Sequence, residues 1–370
     1  MKSAIVTSLL LAAVAFSGIA SAFEIKNTSE WPKTDFTNSS VDQSEILSGG
    51  PPKDSIPAID NPSFVDTVEA SEWLGEKEPV ISLEIDGIAR AYPLQILMWH
   101  EIVNDEIGDT AVSVTFCPLC NASIVFDRDL DGVRYDFGTT GRLRRSDMVM
   151  YDRQTESWWQ QFTGEAIIGE LNGIKLKQIP SNIVSFSAFE KQFPNGQVLS
   201  KDTGFRRSYG RNPYAGYDDI NSSPFLFRGK IDERLRPMER VLSFRSNDNT
   251  LLFDLTSLKD NPLVNSEFEG TPFTVFAFDN MNSALDKSDI DSSRLIASAA
   301  VYGAELDGRK LTFQLEDGVV TDAETGSEWN IFGIAKTGEL AGKQLQQLDH
   351  GVHFAFAWLA FDPNAQVFKH

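Results

Sequence analysis

Cys117 and Cys120 are the only cysteines in a chain of 370 residues, and they stand as Cys117-Pro-Leu-Cys120. A pair at this spacing has three chemical uses. As thiolates, the two sulfurs bind a soft or borderline ion, zinc or copper. As attacking and resolving thiols, they run disulfide exchange or serve a thiol-dependent enzyme. Oxidised, they close a small structural disulfide in a non-catalytic binding module. Two cysteines are too few to staple a chain of this length, so their role is local. Further metal ligands must come from His, Asp, Glu or Met. Of the four histidines, His370 is terminal and His350 and His353 precede the run Phe354-Ala-Phe-Ala-Trp358. His100, followed by Glu101, is nearest the cysteines in the chain. His100 is therefore the candidate third ligand and Glu101 a fourth or supporting one. Met148 and Met150 suit Cu(I), although methionine in an apolar run usually reads as core.

Two other groups carry chemistry. Gly138-Thr-Thr-Gly-Arg142-Leu-Arg144-Arg145 is a glycine-bearing turn with three arginines in an acidic chain. Arg142, Arg144 and Arg145 could hold a carboxylate or phosphate, pair with local acids, or supply the positive charge that a reactive Cys117 would need. The stretch lacks the spacing of a phosphate loop or dinucleotide fingerprint, so no nucleotide cofactor is expected. Asp152, Ser157 and Trp159 offer a base and a hydroxyl, but Asp152 followed by Thr155 also reads as a turn in which the side chain holds backbone N–H groups. No histidine is placed to complete a nucleophilic triad.

The elements that must position the cysteines are strands. Val112, Val114 and Phe116 alternate with Ser113 and Thr115, and Ile124-Val-Phe126 is β-branched and aromatic. The pair thus sits in a tight strand-to-strand turn, without the helix whose N-terminus lowers a thiol pKa in thioredoxin-like proteins. Such a turn is similar to a metal knuckle, in which the residue after the second cysteine adopts a left-handed conformation; Asn121 tolerates it after glycine. Upstream, Val80–Ile85 and Ile88–Tyr92 flank Asp86-Gly87, a hairpin signal, and Pro93 opens one or two helical turns that reach His100.

The chain also matches itself. Residues 80–121 lie on 241–282 without a gap, with Val80, Ser82, Leu94, Leu97, Val103, Asn104, Glu106, Thr110, Val114 and Asn121 meeting identical residues. Asp152…Ser157…Trp159 returns as Asp322…Ser327…Trp329, and Phe193-Pro-Asn-Gly-Gln-Val198 as Phe361-Asp-Pro-Asn-Ala-Gln-Val367. The pattern predicts a tandem duplication. The second copy carries Phe278 and Met281 at the cysteine positions and Asn261 at that of His100, so the cysteine chemistry is done once. Shared Asp, Ser and Trp positions then read first as architecture.

Residues 1–22 read as a secretory signal peptide, with Lys2, an apolar run and Ala20-Ser-Ala22. No membrane span is expected later in the chain, and the protein is expected to be exported to the periplasm or beyond. The formal charge of −20 excludes nucleic acid as a natural partner, which leaves a metal ion or small molecule. Residues 23–75 read as an extended N-terminal arm, 76–200 as the first repeat with the cysteine site, 201–239 as a Tyr-rich connector and 240–370 as a second, degenerate repeat.

The segments Trp99-His-Glu-Ile-Val-Asn104, Thr115-Phe-Cys-Pro-Leu-Cys120, Met150-Tyr-Asp-Arg-Gln-Thr-Glu-Ser157, Tyr214-Ala-Gly-Tyr217 and Phe354-Ala-Phe-Ala-Trp358 together resemble the bacterial and archaeal family catalogued as domain of unknown function 3179. A common form of that family has glycine where this chain has Asn121. The resemblance implies kinship and carries no activity. The fold class expected is mainly β (α+β), as two tandem related β-rich lobes forming one pseudo-symmetric unit, with arm and connector on the outside. The function expected is transition-metal binding through the Cys-Pro-Leu-Cys turn.

Overall fold

A computed structural model of the chain describes residues 29–369. The signal sequence read at 1–22 and the terminal His370 lie outside the described residues.

Hairpin chemistry sets the first sheet. Strands Pro79–Ile85 and Ile88–Pro93 meet at Asp86 and Gly87, whose φ angles of 51° and 78° supply the two left-handed residues of a tight hairpin turn. Asn182–Ser185 pairs on one side of this hairpin, and Gln197–Leu199 and Phe64–Asp66 on the other. Pro93, with φ already at −61°, caps the helix Leu94–His100. The chain turns out of that helix at Glu101, φ 60°, into the meander Ile102–Ile107, Thr110–Cys117 and Ala122–Asp127. Alternation would leave Ser113 and Thr115 on a wet face, yet both are fully buried. Gln161 reaches across from a neighbouring sheet and donates from Nε2 to Thr115 Oγ1 at 2.8 Å, so this face is covered as well.

That neighbouring sheet has five strands in the order Ile46–Ser48, Phe137–Arg144, Asp147–Asp152, Trp158–Gln160 and Glu165–Ile168. The N-terminal arm is thus a sheet edge. Its Trp31 is buried edge-on against Tyr151 and Trp158, with ring centroids 4.9 and 5.0 Å away.

Residues 240–367 run through a comparable order. His350–Phe354, Arg240–Ser246, Asn249–Asp254 and Gln366–Val367 form one sheet. Leu263–Phe268, Thr271–Asn282 and Leu295–Gly303 form a second, and Phe313–Glu316, Val319–Asp322 and Glu328–Trp329 a third. The fold is mainly β, built of small sheets and short helices. Both cysteines lie in the largest apolar cluster, which also takes in Val241, Leu252 and Phe354 to Leu359 from the later half of the chain. Among the described residues no helix is long and apolar enough to cross a membrane.

One buried acid gives this core a pH dependence. Glu78 accepts from Gly75 N–H at 3.2 Å and Gln95 Nε2 at 2.9 Å. Burial, aided by Asp291 and Asp289, pushes its carboxyl up from 4.5 to about 7. A raised carboxyl binds its proton more tightly in the folded chain. Its stabilisation is full below about pH 4.5 and is lost as pH rises through about 7, on the order of 3 kcal/mol in all. Urea unfolding at pH 5 and pH 8 should therefore show a shallower loss of stability in Glu78→Gln than in the parent. Equal slopes would contradict this assignment.

Candidate metal centre

The turn between Thr110–Cys117 and Ala122–Asp127 is closed by Cys120 N–H to Cys117 O at 3.3 Å and Asn121 N–H to Pro118 O at 3.2 Å. Asn121 takes φ 48°, the left-handed conformation expected of the residue after the second cysteine. A strand follows, as read from the sequence. Both thiols are free and buried. The turn is held from the other half of the chain, since Phe354 N–H donates to Cys120 O at 2.9 Å and Asn121 Nδ2 to Val352 O at 3.2 Å.

The third member of the site comes from a different sheet. Arg145 and Ser146 both have positive φ, 53° and 70°, and form the hairpin turn that delivers Asp147 at the head of its strand. Asp147 is fully buried, and one donor atom from each of Cys117, Cys120 and Asp147 lies within 4.8 Å of the others. Asp147 Oδ2 accepts from Gln160 Nε2 at 2.6 Å and from Phe162 N–H at 2.9 Å. Oδ1 has no hydrogen-bond partner, an expensive state for a buried carboxylate oxygen.

Electrostatics in this group all point one way. Burial pushes the Cys117 thiol up, with Asp147 and Glu101 adding to it, and pushes Cys120 much further. Burial drives the Asp147 carboxyl up to about 7, although Gln160, the Phe162 amide and the two thiols favour its charged form. Glu101 is raised to about 8, by burial first and then by Asp147. No cation is among the groups that act most strongly on these four residues. The raised Cys117 is the opposite of what a thiolate nucleophile requires.

The other candidate residues are placed as follows. His100 is buried, but its Nδ1 is engaged by Pro57 O and its Nε2 by Tyr209 Oη, each at 2.7 Å. It is not in the cysteine group, and Asp147 stands where His100 was expected. Glu101 lies closer in, because its carbonyl accepts from Phe116 N–H at 2.8 Å, next to Cys117. The arginines are spent on ion pairs: Arg144 and Arg145 both reach Glu45, at 2.9 and 3.3 Å, and Arg145 also donates to Ala360 O. Arg142 lies opposite Ser48 of the edge strand, in the strand next to it. Arg144 also touches Gln160 Oε1 at 3.4 Å, so Gln160 bridges it to Asp147.

Asp152, Ser157 and Trp159 build a cradle. Asp152 accepts from Thr155 N–H at 2.6 Å and from Trp159 Nε1 at 2.9 Å, and Ser157 Oγ accepts from Leu171 N–H at 3.0 Å. Asp322, Thr325, Trp329, Ser327 and Leu340 make the same contacts at 2.6, 3.0 and 3.0 Å. Gly169 and Gly338 pack against Ser157 and Ser327 so closely that a Cβ would fall within 2.9 Å of the serine Cα in each case.

The Tyr-rich connector covers the cysteine turn. Tyr209 Oη holds His100, and Tyr217 Oη donates to Leu119 O at 3.1 Å. Tyr214 lies between them, within electrostatic reach of Glu101 and Cys117. Beyond Tyr217 the segment is fastened by Asp218, whose buried carboxylate pairs with Arg240 at 2.9 Å and Arg294 at 2.7 Å.

Residues 53–365 match the profile of one family, described as protein of unknown function DUF3179. The chain belongs to that family. The match takes in the cysteine turn, Asp147, the first cradle and the connector, and it begins within the arm. No curated protein and no solved structure matches the chain.

Asp147 is the residue that reading the sequence missed. Its signal was a single acid heading the buried run Met148-Val-Met150, with the paired glutamines Gln160-Gln161 downstream. Such an acid needs a buried partner, but the sequence does not say which one.

Proposed function

We propose that this family member binds one divalent metal ion, zinc in preference to copper, through Cys117, Cys120 and Asp147. The observation that carries the reading is a buried trio of metal-ligating side chains with donor atoms within 4.8 Å of one another, and an Asp147 Oδ1 without a hydrogen-bond partner. Two thiolates alone would suit Cu(I). The carboxylate adds a hard oxygen and a third negative charge, and both favour Zn²⁺. Glu101 faces the same group without belonging to it, which suits a carboxyl that orients a fourth ligand. The thiol-enzyme reading has less support, since both thiols are raised rather than lowered.

In this reading the protein is exported to the periplasm. The duplicated segments form two related lobes, 76–200 and 240–370, joined by the connector at 201–239. The matching strand orders and the two cradles support the duplication. The second lobe then serves as scaffold, its strand His350–Phe354 backing the cysteine turn.

Elemental analysis of protein purified without chelator tests the assignment. About one equivalent of zinc is expected in the parent and in His100→Ala, and little in Cys117→Ser or Asp147→Asn. A parent protein that takes up no metal after mild reduction and exposure to zinc overturns it.

A further inference from the structure

A cavity lined by residues from both halves of the chain has no part in the metal reading. It is about 290 Å³ in volume, just below the range of about 300–1,000 Å³ found for ligand sites. Its floor is apolar: Phe126, Phe162 and Leu176 are all buried. Its rim carries Lys175 from the earlier half and Arg245 from the later one, with the buried ring of His350 alongside. Both nitrogens of His350 are turned to Leu348 O and Asn182 Oδ1, at 2.8 and 3.1 Å, so His350 offers the cavity ring surface.

Two cations, Lys175 and Arg245, line this cavity in a chain of net charge −20. One acid opposes them. Asp349 Oδ2 sits 3.6 Å from Arg245 Nη1, a loose and partly exposed pair. Exposed pairs of this kind contribute little, about 0–1 kcal/mol, so a ligand carboxylate can displace Asp349 at small cost. Arg245 is meanwhile held over the Trp358 ring at 5.4 Å, which keeps its guanidinium at the rim.

We propose that this cleft binds a small organic anion, an apolar or aromatic body carrying one carboxylate, with Arg245 and Lys175 receiving the charge and the Phe126–Phe162–Leu176 floor receiving the body. The cleft also adjoins the cysteine site through covalent neighbours. Phe162 lines it with its ring and holds Asp147 with its backbone N–H, and His350 begins the strand that backs the cysteine turn. The proposal stands whether or not metal binds.

Calorimetric titration with benzoate tests it, on both chelated and zinc-treated protein. Saturable binding at millimolar or lower concentration is expected, at least tenfold weaker in Arg245→Gln and stronger in Asp349→Asn. Because Arg245 also packs on Trp358, Lys175→Gln serves as a second variant, expected to weaken binding several-fold on an exposed and replaceable side chain. Benzamidine, the same ring with a positive charge, and inorganic phosphate, charge without the ring, should both bind more weakly than benzoate. No saturable benzoate binding, or benzamidine binding as well as benzoate, overturns the proposal.

Discussion

Zinc at a free concentration a thousandfold above its dissociation constant is expected to stabilise the parent protein by about 4 kcal/mol, and Asp147→Asn by almost nothing. The reason lies in what the metal-free site must tolerate. Cys117, Cys120 and Asp147 are buried together, and burial drives all three toward their neutral forms. Folding without metal therefore leaves them protonated, with Asp147 Oδ1 unpartnered. A divalent ion bound there would displace those protons and compensate the charges together, so its binding energy would become folding energy. Asp147→Asn keeps the shape and the Gln160 contact region while removing a carboxyl whose ionisation burial penalises. Without metal it should match or exceed the parent as pH rises through about 7, where the parent's buried carboxyl would have to ionise. The two proteins should thus change order when zinc is added. Calorimetric melting in zinc and in chelator reads this directly, with Cys117→Ser as a second variant. An equal zinc shift in Asp147→Asn would remove Asp147 from the ligand set.

Much of the site was legible because local rules governed it. The strand-turn-strand setting of the cysteines, the left-handed Asn121 and the proline-opened helix ending at His100 each follow from residue types within a few positions. Their assembly did not follow. His100 is close to Cys117 along the chain, but it closes a helix whose end is claimed by Pro57 of the arm and Tyr209 of the connector. Asp147 reaches the thiols from a different sheet, held by Gln160 of the next strand and Phe162 of the turn that follows it. Contacts of that kind depend on sheet packing, which single-sequence periodicity does not encode. Arg144 and Arg145 show the same limit: their pairing with Glu45 depends on the arm, which reads as a loose extension but forms the edge of a sheet. The cradles are the converse case, since two copies of one motif in one chain pointed to architecture before any coordinate did.

Asp152→Ala and Asp322→Ala are expected to cost similar stability, about 3–5 kcal/mol each, and to differ in what they do to zinc. Each substitution removes a buried carboxylate that holds a Thr N–H and hydroxyl and a Trp indole N–H. Each buried donor left unsatisfied costs about 1–3 kcal/mol. For Asp322, burial works to raise the carboxyl, but hydrogen bonds from Trp329 and Thr325 overcome it and hold it below its ordinary 3.8. A depressed carboxyl stabilises the fold above that value and gives up its contribution as pH falls through the folded one. Asp322→Ala should accordingly flatten the acid limb of a stability-against-pH curve. The difference between the two lies in position. Asp152 ends the strand Asp147–Asp152 that begins with the third donor, whereas Asp322 ends a strand with no donor on it. Asp152→Ala should weaken zinc binding by displacing that strand, while Asp322→Ala, equally destabilised, should retain about one equivalent. Chemical unfolding together with zinc content checks both halves. If Asp322→Ala cost under 1 kcal/mol while Asp152→Ala cost several, the cradle would not be shared architecture, and Asp152 would have to be counted with the chemistry of the site.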